Sequence, residues 1–159
     1  MQRFKKLISL TLCALLFAAM LCGCSAKRTP SPLELCNDVI SQNSLTDLTS
    51  LSGDKLESYF GFKNSNIKRF SVMISTSSER ADTVAVFEVS NKEQRSLVIT
   101  GVSKYAASLA DSMQSVEAEY KKVSSLLIME LDDLIIFIIC PDTKAVEQQL
   151  ITLGAKAVY

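Results

Sequence analysis

The chain has 159 residues with 17 basic and 17 acidic side chains, so it is formally neutral, and it contains no histidine. The missing imidazole removes the commonest general base, catalytic-triad member and zinc ligand at once. No basic stripe interleaved with aromatics runs through it, which argues against nucleic acid as a partner. With five glycines and no paired-cysteine spacing, neither a phosphate loop nor a zinc site has a motif behind it.

The N-terminus carries Arg3, Lys5 and Lys6, then runs without charge from Leu7 to Gly23. That is the layout of a secretory signal, and the apolar stretch from Leu7 to Leu21 falls short of the roughly 20 residues that cross a bilayer core. The segment closes on Leu21-Cys22-Gly23-Cys24, which resembles the bacterial lipobox. The resemblance implies removal of residues 1–23 and a diacylglyceryl group on the Cys24 sulfur, to which an N-acyl chain such as palmitate can be added. It therefore implies a domain held at the outer face of a bacterial cell membrane. A plain signal peptide cut elsewhere and an uncleaved signal anchor are the alternatives. Two acyl chains hold a protein far more firmly than one, because burial contributes about 0.8 kcal/mol per methylene.

Removing 23 residues leaves 136, a single-domain length, with 14 basic against 17 acidic residues. Lys27-Arg28 and Lys121-Lys122 are adjacent basic pairs and read as solvated surface charge. Residues 24–31 form a lipid-anchored linker, small, polar and proline-containing, and residues 32–159 form the domain. Seven linker residues after Cys24 reach at most about 25 Å. Of five cysteines, Cys36 and Cys140 remain in the domain. They are either one disulfide, as an oxidising compartment permits, or two small apolar core residues.

Ser31, Pro32 and Glu34 make a helix start with a capping box, and Leu33, Cys36 and Ile40 are its expected inner face. Residues 41–51 are rich in Ser, Thr and Asn, and Ser52 to Phe60 predicts a second short helix stopped by Gly61. Lys68 to Ser75 alternates as a half-buried strand does, with Phe70, Val72 and Ile74 on one face. The polar turn 77–80 joins it to a strand over Thr83 to Val89, giving a hairpin. Ser90 and Glu93 suggest a cap for the longest helix, with a stripe through Val98, Val102, Tyr105, Leu109, Met113, Val116 and Tyr120. Gly101 inside it costs up to about 1 kcal/mol relative to alanine. Ser125 to Glu130 and Leu134 to Cys140 predict a second hairpin about Asp132-Asp133, and the continuous apolarity of the last strand predicts a central position. Asp142 caps a final helix with Val146, Leu150 and Leu153 inside and Gly154 at its end.

The expected fold is α+β: a four-stranded, mostly antiparallel sheet of two hairpins, packed against the long helix and the C-terminal helix, with two short N-terminal helices. Those two are expected to cover part of the second sheet face. Any remainder of Leu134 to Cys140 left bare would be a contact surface.

From about Leu56 to Gly154 the chain resembles the domain-of-unknown-function family 4358, small lipoproteins of Gram-positive anaerobes. The residues that carry the likeness are Leu56-Glu57-Ser58-Tyr59-Phe60-Gly61, Ala85-Val86-Phe87-Glu88-Val89, the long helix leading to Tyr120 and the final apolar hairpin. Members often carry an acidic residue before the apolar part of the second strand and a proline after the tyrosine, where this chain reads Thr83-Val84 and Lys121-Lys122. The family has no assigned activity, so the resemblance implies no catalytic residues.

Other side chains with chemistry have plain readings. Asp132-Asp133 is a turn before it is a cation site. Ser124-Ser125 and the serines at 75–78 lack a base unless Lys104 or Lys122 supplies one. Tyr59, Tyr105 and Tyr120 fit core positions with a wet hydroxyl better than stacking platforms. The expectation is thus a non-enzymatic interaction or structural module without a bound cofactor, meeting an unidentified protein at the cell surface. A small-molecule (solute) binding lipoprotein is the alternative, and it requires a cleft.

Overall fold

The computed structural model describes residues 28–158, so the segment expected to be a signal, with Leu21, Cys22, Gly23 and Cys24, lies outside the described residues. Helix α1 spans Pro32–Gln42, and both bonds of the Ser31/Glu34 capping box form. Its inner face is Leu35, Cys36 and Val39, while Leu33 is 59% exposed. The expected face is therefore rotated. The two apolar sets, 33/36/40 and 35/36/39, both satisfy helical spacing, and packing of Leu35 and Val39 with Val84 and Val86 selects the second.

After α1 comes a strand absent from the sequence expectation, β1 (Leu48–Ser50). A 3-10 turn over Gly53–Lys55 leads into α2 (Leu56–Phe60), which ends at Gly61 in the left-handed region with φ 76°. Strands β2 (Arg69–Ser75) and β3 (Thr83–Glu88) form the expected hairpin, with Arg69 opposite Glu88 and Ile74 opposite Thr83. Both faces of β2 are covered, so it is not half-buried in the expected sense. Phe70, Val72 and Ile74 pack in one core and Met73 in the other.

The long helix divides in two. Helix α3 spans Lys92–Met113 and α4 spans Glu117–Ser124. Asn91, not Ser90, is the cap of α3, accepting from the Gln94 N–H while the Gln94 side chain accepts from the Ser90 N–H. Breaking at 114–116 leaves Val116 and Tyr120 exposed instead of extending the stripe. Gly101 has a packing reason: a Cβ there would lie 2.4 Å from the Phe60 carbonyl oxygen and 2.7 Å from the Phe62 ring. The glycine lets α3 cross directly over the end of α2.

Strands β4 (Leu127–Leu131) and β5 (Leu134–Ile139) meet at the two-residue tip Asp132-Asp133, with Asp132 at φ 50°. Helix α5 (Thr143–Leu153) starts at the Asp142 cap and ends at Gly154, and β6 (Lys156–Ala157) follows it.

Among the described residues these strands make one antiparallel sheet in the order β1-β2-β3-β5-β4-β6. The four expected strands form its middle, and β1 and β6 add the two edges. Helices α2, α3 and α4 cover one face, where Phe60, Val98, Val102 and Val123 meet Phe87, Ile135 and Phe137. Helices α1 and α5 cover the other, where Leu35, Val39, Val146 and Leu150 meet Val84, Val86, Ile136 and Ile138. The long and last helices thus lie on opposite faces, not together. Every residue of β3 and β5 is buried, so among the described residues the apolar strand β5 leaves no bare face for a partner. Each large side chain buried this way is worth about 1.5–3 kcal/mol.

Candidate functional site

The sheet has two polar ends. At one end, residues 76–82 turn from β2 into β3, and Asp82 is 1% exposed directly before the strand. Its carboxylate accepts from Lys122 Nζ at 3.1 and 3.2 Å and from the Arg80 guanidinium at 2.9 Å. One turn earlier on α4, Glu119 accepts from the Ala81 N–H at 2.9 Å and pairs with Lys122 at 2.7 Å. Arg80 reaches on to Asp47 at 2.9 Å. Burial pushes the Glu119 carboxyl up, but Lys122 and the Ala81 amide outweigh it and hold the group below its ordinary value. The Asp82 charge holds the Arg80 guanidinium above its own. Beside the network, the Tyr105 hydroxyl lies 3.4 Å from Thr83 Oγ1.

At the opposite end Glu88 closes β3 and is buried, and it takes Lys68 at 2.5 Å and Arg69 at 2.5 Å. Hydrogen bonds from Arg69 and Lys68 hold its carboxyl below the ordinary carboxylate value. Arg95 grips Glu130 with two bonds of 2.9 and 2.7 Å. Here too the chain enters, and the Thr29 hydroxyl donates to Asp132 at the β4/β5 tip.

Between α2 and α3 runs a groove of about 480 Å³. Tyr59 and Tyr105 face each other in it at a centroid distance of 6.0 Å, flanked by Glu57, Lys104 and Ser108. Tyr59 is 38% exposed.

The residues singled out in the sequence are scattered. Asp132-Asp133 forms the hairpin tip. Ser124 Oγ donates to the Tyr120 carbonyl at 2.9 Å, and Ser125 Oγ donates to the Lys121 and Lys122 carbonyls. Lys122, read from the sequence as solvated, is 14% exposed and engaged by Asp82 and Glu119. Lys104 lines the groove. The serines at 75 and 77 accept backbone N–H groups in their turn. Cys36 and Cys140 are both buried free thiols, in the core on the α1/α5 side, and burial pushes each thiol up to about 11. A thiol so placed is a poor nucleophile.

Sequence reasoning missed the Asp82 network. Its one local sign was a charge set directly against a largely apolar strand, and the partners on α4, some forty residues away, gave none. Among the described residues no three metal-ligating side chains gather, and no helix is long and apolar enough to cross a membrane.

Comparison with known proteins adds a family and no activity. No curated protein and no solved structure matches the chain. The family profile described as "Domain of unknown function (DUF4358)" matches residues 41–140, from the end of α1 to the residue after β5. This span covers well over half of the chain, and the protein belongs to that family.

Proposed function

We propose that the protein is a lipid-anchored, non-enzymatic interaction module at the outer face of a bacterial cell membrane. The carrying observation is Leu21-Cys22-Gly23-Cys24 closing a basic and apolar leader only a few residues before the Ser31 helix cap. Cys24 bears the lipid in this reading, and the domain works within reach of the bilayer. The non-enzymatic part is supported by how reactive side chains are used. The Ser124 and Ser125 hydroxyls are committed to backbone carbonyls, and Lys122 is committed to two carboxylates.

Labelling cells with a radioactive fatty acid tests the anchor. The wild-type protein should carry label and fractionate with membranes, and Cys24→Ala should carry none. A variant still labelled would refute the assignment. Cross-linking on intact cells tests the module, and recovery of no protein neighbour would count against it.

A second reading, a solute-binding lipoprotein, is favoured by the groove between α2 and α3. Its 480 Å³ lies within the roughly 300–1,000 Å³ usual for small-molecule sites. Tyr59→Ala should then remove ligand-induced thermal stabilisation in a metabolite screen, and a screen in which no compound shifts the wild type would sink this reading.

A further inference from the structure

We propose that the end of the sheet where the chain enters is a bilayer-seating surface, with Leu33 set into the headgroup layer and the opposite end, around Asp82, turned outward. This deepens the anchored reading and rests on it. The hydrogen bond from Thr29 to Asp132 fixes the incoming chain to the β4/β5 tip, and Arg28, Pro30, Leu131 and Leu153 close about it. The first fixed contact of the chain after Cys24 among the described residues is therefore at Thr29 rather than at the start of α1. Five residue steps from Cys24 reach at most about 18 Å. A six-residue strand such as β5 is itself about 20 Å long, so the tether cannot easily carry the domain over onto its far end.

What faces the membrane on that end fits a lipid surface. Leu33 is the most exposed of the large apolar side chains among the described residues. It sits on the first turn of α1 and shares a shallow cleft with Pro32, Phe70 and Arg69. Folding would gain by burying it, as the neighbouring Leu35 is buried, yet it is left outside where the tether is shortest. The Arg69 and Lys68 side chains stay more than half exposed while they pair with Glu88, so they have donors free for headgroup phosphates.

The carboxylates of this end are occupied from within the fold: Glu34 by the Ser31 N–H, Glu88 by Lys68 and Arg69, and Asp132 by Thr29. Asp133 is exposed at the tip. With Arg95 holding Glu130 at this end as well, Arg28, Lys68, Arg69 and Arg95 stand against five carboxylates, and net charge supplies no attraction. Tether and apolar contact hold the seat, so it should persist on zwitterionic lipid.

The test uses the full-length lipidated protein in phosphatidylcholine vesicles, with an environment-sensitive fluorophore on Leu33→Cys or, at the other end, on Glu79→Cys. Both positions are exposed, so neither change should disturb folding, and the buried Cys36 and Cys140 should not label. Seating predicts a blue shift and quenching by spin-labelled lipid at position 33, with neither at position 79. Equal response at both positions, or none at 33 in a sample whose Cys24 lipid is seen by mass spectrometry, overturns the seating and leaves the anchor standing. A sample with no lipid on Cys24 refutes the anchor and the seating with it.

Discussion

The two ends of the sheet carry the same kinds of charge and use them in opposite ways. Around Asp82 the ion pairs are sunk into the fold, with Lys122 nearly as enclosed as its partner, and they hold α4 to the loop before β3. Around Glu88 the carboxylate is buried, but Lys68 and Arg69 lie along the surface. A buried pair is costly to assemble and more costly to halve, whereas an exposed pair is worth little either way. The first end is thus a clasp and the second leaves its cations available.

The sharpest way to break this contrast is to remove Lys122. Lys122→Met leaves Asp82 with Arg80 alone and Glu119 without its ion pair, and should cost more than the roughly 1 kcal/mol of an exposed pair, towards the ~3–5 kcal/mol of a halved buried one, read as a lower urea midpoint. If the loss is under about 1 kcal/mol, the clasp is not buried in any energetic sense. Next in size is the double variant Asp82→Asn with Lys122→Met, which should recover part of that loss because the buried Asp82 charge goes with its cation, while Arg80 keeps Asp47 and Glu119 keeps the Ala81 N–H. Full additivity of the two single losses would contradict the coupling. The third effect is smaller: Arg69→Met at the other end should cost no more than about 1 kcal/mol and should depend on salt, since Lys68 still serves Glu88.

The smallest effect is a titration. Glu119 and Glu88 are both held below their ordinary values in the fold. Their ion pairs therefore stabilise fully above the unfolded carboxylate value of about 4.3, and that contribution fades as pH falls through the lower folded value. Glu119→Gln should accordingly be most destabilising near neutral pH, with the gap from wild type narrowing towards about pH 3. A gap constant over that range would show that Glu119 acts through packing alone.

The middle of the molecule was legible in the sequence because length and apolarity speak together there. Ile135 to Ile139 could hardly be anything but a covered strand, and the Asp132-Asp133 tip follows from it. The edges were not. β1 has three residues, two of them exposed, and β6 has two, so neither carries a period that can be counted. The face of α1 was ambiguous because its apolar residues fit two stripes, and tertiary packing chose between them. The break after Met113 carries no glycine or proline to announce it, and Val116 kept the apparent stripe running. Pairing of Asp82 with Lys122 is invisible to local spacing, since it is made only when α4 returns to the sheet.

The order of the strands also sets a timetable. β1, β2 and β3 are neighbours in sequence and can zip together as soon as Glu88 is present. β3 then waits, with Val84 and Val86 on an unfinished rim, until α3, α4 and β4 have been made and β5 can close beside it. Contacts that span so much chain are slow to form, because loop closure precedes any reward. The central seam of the finished protein joins the paired strands that lie farthest apart in the chain, and until it closes the edge of β3 is open to pairing with the wrong strand.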